Sequence, residues 1–130
     1  KSTNRGDDWK VISPDLAAGE DLPNLRYKAI TTLDESKRSP GSLLAGTDNG
    51  YLFLTTDDGK NLKQIDGGLP RGSCTRTVFS RHEPKTLFVT LSGMLVDDFS
   101  PYVFRSEDLG KTWTNVSKGL PLEPVQVIHE

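Results

Sequence analysis

Apolar residues in this chain recur in short alternating runs, and no stretch keeps a helical spacing over the dozen residues a helix needs. The runs are "WKVIS" (9–13), "RYKAITT" (26–32), "SLLAGT" (42–47), "YLFLTT" (51–56), "LKQID" (62–66), "TRTVFS" (75–80), "TLFVTL" (86–91), "YVFRS" (102–106), "WTNVS" (113–117) and "VQVIHE" (125–130). Each predicts a strand. Tyr51-Leu52-Phe53-Leu54 is apolar at every position, which predicts a strand covered on both faces.

The runs repeat as groups. The stretch "SEDLGKTW" (106–113) reads as hydroxyl-x-Asp-x-Gly-x-Thr-Trp. "TTDDGKNL" (55–62) keeps Thr55, Asp57 and Gly59, with Asn61 and Leu62 in the last two positions. "STNRGDDW" (2–9) keeps Gly6 and Trp9, with Asn4 for Asp and Asp8 for Thr. The glycines are spaced by 59 − 6 = 53 and 110 − 59 = 51 residues. After each stretch comes an outer run, then a loop with a similar phrase: "SPDL" (13–16), "GGLP" (67–70), "KGLP" (118–121).

Four short strands per repeat of about 50 residues is the pattern of a β-propeller blade. The WD dipeptide is absent, and a double glycine occurs only at Gly67-Gly68, so WD40 and kelch patterns fit poorly. The three stretches resemble the Asp-box, or BNR repeat, of sialidases, sortilin-type domains, two-propeller xyloglucanases and photosystem assembly propellers. Longer phrases such as "YVFRSEDLGKTWTNVSKGLP" are similar to large bacterial BNR-repeat proteins, often described as glycosyl hydrolases. The resemblance implies an all-β segment of an Asp-box propeller, with two complete four-stranded antiparallel blades and one flanking strand at each end. It divides the chain into an outer strand and linker (1–25), a blade (26–66), a second blade (67–118) and an inner strand of a following blade (119–130). A propeller needs about four to eight blades, so the expected partners are the remaining blades of a longer parent chain.

In that family the box is the turn between the third and outermost strands, opposite the ligand face. The residue types agree with a structural role. Gly110 supplies a positive φ, Asp108 can hold the turn's own amides, Ser106 and Thr112 can satisfy further buried polar groups, and Trp113 can pack into a seam. Other short motifs are weaker. "RGD" at Arg5–Asp7 overlaps a box, "NVS" at Asn115–Ser117 is a sequon on an outer strand, and Asp57-Asp58-Gly59 lacks the calcium-loop pattern. His82 and His129 fall in predicted inner strands without a paired nucleophile or metal-ligand spacing, so no metal and no cofactor are expected.

Bulk properties narrow the classes. Sixteen basic and 18 acidic residues give a net charge of −2, without the basic excess of a nucleic-acid binder. No apolar run approaches the roughly 18 residues of a membrane span. Cys74 is the single cysteine and has no disulfide partner within the chain. The opening residues "KSTNRGDDWK" lack the apolar stretch of a signal peptide, so the secreted, periplasmic or cell-surface location implied by the resemblance needs a signal upstream or already removed.

Ligand recognition is expected on the loops of the face opposite the boxes. There "TDNGY" makes a tight hairpin in the first blade, with Gly46 to Gly50 spanning 4 positions. Its counterpart "LSGMLVDDFSPY" spans 11 positions from Thr90 to Pro101, so about seven residues are inserted (11 − 4 = 7). They bring Met94, Asp97, Asp98 and Phe99. The first inter-blade loop is also long, 24 positions from Gly6 to Ile30 against 19 from Gly59 to Val78; it carries Glu20, Asp21 and Arg26. Arg71 lies in the next such loop. The ligand-binding candidates are therefore Met94, Asp97, Asp98, Phe99, Arg26 and Arg71, in a glycan- or peptide-binding or scaffold segment of an exported bacterial propeller. The alternative is part of a glycoside hydrolase, with Asp97 or Asp98 as one of the two carboxyls such chemistry needs. A third is that the inserted loops only cover a neighbouring blade.

Overall fold

The computed structural model describes residues 1–20, 22–25 and 28–130. It is all-β: two antiparallel four-stranded sheets side by side, as in adjacent propeller blades. The first has the order β1 (Ile30–Glu35), β2 (Leu43–Thr47), β3 (Leu52–Thr55), β4 (Lys63–Gln64). The second repeats it with β5 (Ser73–Phe79), β6 (Leu87–Gly93), β7 (Asp98–Ser106) and β8 (Thr114–Asn115). Register is equally repetitive. Leu44 faces Leu54 in the first sheet and Phe88 faces Arg105 in the second, and each inner strand carries an irregularity, at Thr31 and at Thr75.

The core is the seam between the sheets. Leu44, Leu52 and Leu54 of the first meet Cys74, Phe79, Leu87, Val89 and Leu91 of the second, with Ile65 and Phe104 closing the ends. Polar groups stitch the inner strands together where strand pairing cannot. Thr31 Oγ1 donates to the Cys74 carbonyl (2.6 Å), Thr77 N to Thr32 Oγ1 (3.0 Å) and Phe79 N to Asp34 Oδ2 (2.7 Å). Thr32 and Thr77 are themselves buried, so these bonds satisfy groups that would otherwise be stranded in the seam.

Four differences from the sequence expectation have physical causes. The outer strands shrink to two residues each, and both residues of each are exposed, so little burial supports a longer ladder. The flanking runs 9–13 and 124–130 form no ladder among the described residues, since neither has a neighbouring strand of its own blade to pair with. The second still follows the inner-strand track: Thr75 Oγ1 donates to the Val125 carbonyl (2.9 Å), as Thr31 does to Cys74, and Ser80 Oγ to Glu130 Oε1 (2.8 Å). His82 lies in the turn after β5 and His129 in that flanking run, so neither is in a strand. The far face of the first sheet is only partly covered. Trp9 and Ile12 of the flanking run sit over it, and an apolar groove of about 530 Å³ remains against Leu43, Ala45 and Phe53.

Gly46 is where the sheets come closest. A Cβ there would lie 2.6 Å from Cys74 Cβ and 2.9 Å from Thr32 Cγ2. Gly46→Ala should therefore lower unfolding free energy by roughly 1–3 kcal/mol, the usual cost of overpacking a core, read from chemical denaturation. An unchanged midpoint would show that the seam is loose. The Cys74 thiol, 1% exposed and pushed up to about 12 by burial, should likewise react with a thiol-specific disulfide reagent only at the unfolding rate; fast native-state labelling would contradict the packing.

Candidate functional site

The repeated stretches form one hydrogen-bonded knot, three times over. At 106–113, Ser106 Oγ donates to Asp108 Oδ1 (2.8 Å) and accepts from Gly110 N (2.8 Å). Asp108 then accepts from Thr112 N (2.9 Å) and Thr112 Oγ1 (2.6 Å). At 55–62 the same bonds join Thr55, Asp57, Gly59 and Asn61 at 2.8, 3.0, 2.9 and 2.6 Å. At 2–9 they join Ser2, Asn4, Gly6 and Asp8, with one reversal: Asn4 Nδ2 is the donor and Asp8 Oδ2 the acceptor, at 2.8 Å. The knot needs one donor and one acceptor at these positions, in either order. Thr112, expected to serve a buried group, is exposed and spends its hydroxyl on Asp108.

Each turn also holds a non-glycine residue in the left-handed region just before its glycine: Arg5, Asp58 and Leu109, at φ of 60°, 60° and 59°. Composition gave no sign of these, because Arg and Leu do not favour that region. The knot overrides the preference.

The glycines serve the seam as well. A Cβ on Gly110 would lie 2.5 Å from Ile65 Cδ1, and one on Gly59 would run into the Ile12 carbonyl oxygen. Ile12 and Ile65 occupy the same place in successive outer runs. Trp113 completes the contact by donating Nε1 to the Ile65 carbonyl at 2.8 Å. Trp9 has no such strand beside it among the described residues; it bonds its own Gly6 carbonyl and is 76% exposed. These groups sit at the end of the sheets away from the β2–β3 and β6–β7 turns, and their bonds are used up internally.

The opposite end holds the inserted residues, which do not form a free loop. The ladder runs on to a Gly93–Asp98 pair, and only a short 3-10 turn, Met94–Val96, with Asp97 in the left-handed region, caps the hairpin. Asp98 is spent on that hairpin. Its Oδ1 accepts from Ser100 N (2.9 Å) and its Oδ2 from the Tyr102 hydroxyl (2.5 Å). The Tyr102 bond, and then those of Ser100, hold the Asp98 carboxyl below its ordinary range, the wrong direction for a proton-donating acid. Met94, Val96 and Phe99 are left 50%, 40% and 51% exposed at the tip. The tip reaches the other long loop, where Asn24 Nδ2 donates to the Leu95 carbonyl at 3.4 Å. The two insertions thus meet on one face. Arg26 lies outside the described residues. Arg71 lines a separate cavity of about 210 Å³ with Glu20, Asn49, Tyr51 and Asp66, in which none of the four tip candidates takes part. Asn49, Tyr51 and Asp66 were not singled out in the sequence; the Asn49-Gly50 pair reads there only as a hairpin turn.

Among the described residues no group of acidic, histidine or cysteine side chains could hold a metal, and no helix is long and apolar enough to cross a membrane. No family model and no curated protein matches the chain. Among solved structures it is similar to YCF48 from Cyanidioschyzon merolae, a β-propeller protein, with a TM-score of 0.52 and 20% identity. The alignment covers 78% of this chain and 28% of that one, so the chain spans less than a third of its neighbour. A likeness at that identity shows the fold, and the fold is a β-propeller segment.

Hydrogen bonds to the carboxylates of the two knots, chiefly from Asn61 and from Thr112, lower Asp57 and Asp108 to about 2. A depressed folded-state value stabilises the fold above the ordinary carboxylate range, near pH 4, and that contribution is lost as pH falls from about 4 towards about 2. Acid titration of the melting temperature should show the loss in that window, and Asp108→Asn should remove the share of Asp108 while that of Asp57 remains. Asp108→Ala should lower the melting temperature while leaving any ligand affinity of the opposite face unchanged. Lost binding at an unchanged melting temperature would make the knot a ligand site.

Proposed function

We propose that the chain is a segment of an Asp-box (BNR-repeat) propeller that serves as a binding or scaffold module, recognising a glycan or peptide on the face opposite the boxes. The observation that carries the reading is the meeting of the two insertions at Asn24 and Leu95. Repeat folds add recognition by lengthening loops on one face, and here the lengthened segments present exposed Met94, Phe99 and Asp97 beside one another in the chain. Apolar platforms mixed with a few polar groups are what such ligands use. The three-fold recurrence of the knot supports the Asp-box assignment. An exported bacterial origin, with a secreted, periplasmic or cell-surface location, belongs to the same reading. The remaining blades of the parent chain are the proposed partners for the apolar groove on the first sheet, which is lined by residues of the kind that fill the seam between the two sheets.

The hydrolase reading is the weaker one. Both oxygens of Asp98 are already bonded, so of the adjacent pair Asp97 is the one left to act, with a second carboxyl from another blade.

The test is a glycan- and peptide-array screen of the full-length protein, comparing wild type with Met94→Ala/Phe99→Ala and with Asp97→Asn. Both variants should weaken capture, the first at least several-fold, while stability moves by no more than about 0.5 kcal/mol, as for exposed positions. Capture unchanged in both would reduce the hairpin to a cover for the neighbouring blade. Turnover abolished by Asp97→Asn at unchanged affinity would favour the hydrolase.

A further inference from the structure

Charge is divided unevenly between the two ends of the molecule. The segments that connect strands at the end away from the boxes are 14–29, 48–51, 65–72, 93–98 and 116–124. In sequence they carry eight acidic residues, Asp15, Glu20, Asp21, Asp48, Asp66, Asp97, Asp98 and Glu123, against four basic ones, Arg26, Lys28, Arg71 and Lys118. Their sum is 4 − 8 = −4, whereas the rest of the chain, with 12 basic and 10 acidic residues, comes to 12 − 10 = +2. Pairing among these groups, as of Arg71 with Glu20, leaves the sums unchanged.

The apolar surface at the acidic end is the hairpin tip, where Met94, Val96 and Phe99 are exposed. Of the exposed side chains from 94 to 99, only Asp97 is polar, and a carboxylate accepts without donating. Among the described residues its side chain has no hydrogen bond and no ion pair. Asp98 adds a second negative charge beside it, and no Lys, Arg or His occurs from Ser92 to Pro101.

We infer that the tip docks a basic peptide segment, one that carries an aliphatic or aromatic residue next to a lysine or arginine. The inference rests on the binding-module reading and names its ligand class. The apolar residue of the peptide lies against Met94 and Phe99; a thioether side chain adapts readily to the shape of its partner. The neighbouring cation pairs with Asp97 and meets the open face of the Phe99 ring. The field of this end draws a cation in and turns an anion away. A glycan fits less well. Sugar hydroxyls donate and accept together, and the exposed tip side chains offer one acceptor and no donor. An anionic polysaccharide also meets the wrong charge.

The experiment is fluorescence anisotropy on the full-length protein with four labelled probes. They are a peptide alternating Lys or Arg with Phe or Leu, its analogue with Glu for each base, its analogue with Ala for each apolar residue, and cellotetraose. The first should bind saturably and lose affinity several-fold from low to high salt. The acidic analogue should not bind, and the Ala analogue should bind several-fold more weakly. Asp97→Asn keeps the left-handed turn, because Asn tolerates that region; it should weaken the first probe several-fold and reduce the salt dependence. Met94→Ala/Phe99→Ala should weaken it at least as much while the salt dependence persists. Melting curves check that both variants are folded. Silence of the basic peptide, equal binding of the acidic one, preference for the oligosaccharide, or basic-peptide binding untouched by both variants overturns the inference. In any of these cases, array capture still weakened by Met94→Ala/Phe99→Ala leaves the module reading standing with a ligand of another class. Capture unaffected by both variants removes the two readings together.

Discussion

The constraint on which the rest depends is the contact of the second and third box glycines, Gly59 and Gly110, with the outer run of the repeat before each. Gly59 closes on Ile12 and Gly110 on Ile65, with no room for a side chain in either place. Because the glycine sits in a turn tied by its own Asp and hydroxyl, the whole turn is rigid when it arrives. A rigid turn packed this closely against the preceding outer run limits how the repeats can shift at that end. The threonine bonds between inner strands then hold the other end of the seam at the same spacing. Two clamps, one near the axis and one near the rim, leave the apolar core between them little freedom to slip.

That division of labour separates the two ends of the molecule. At one end the hydroxyl, the carboxylate or amide and the seventh-position group of each repeated motif are bonded to one another. At the other end polar groups remain with few or distant partners, such as the Asp66 carboxylate. Chemistry is available only where the architecture has not already used the atoms.

The architecture was legible in the sequence because it is repeated. The full box at Ser106–Trp113, the spacings of 53 and 51 residues to its degenerate copies, and strands apolar enough to be covered on both faces led to the blades. The boxes were legible as turns for the same reason. The candidate site was legible only as an insertion. A length comparison cannot distinguish a loop from a longer ladder, so Asp98 looked available when Tyr102 and Ser100 already held it. Asn49 was invisible for a different reason. Its role comes from the Ala17 and Glu20 carbonyls, 32 and 29 residues away, and no local pattern encodes a partner at that distance. The left-handed Arg5 and Leu109 were hidden likewise, since side-chain bonds made elsewhere in the turn impose the conformation.

The reversed knot at residues 2–9 bears on how such repeats diverge. With Asn4 as donor and Asp8 as acceptor, the third and seventh positions form a single inherited unit. Changing Asn4 to the Asp of the other repeats, with Asp8 still in place, would set two carboxylates against each other; restoring Thr at position 8 first would leave a neutral pair that still bonds. Mutational paths between the two forms are therefore not equivalent in order. The degenerate appearance of a repeat in an alignment can hide a fully intact turn, and position-by-position scoring, which counts two mismatches here, undervalues a pair that has changed together.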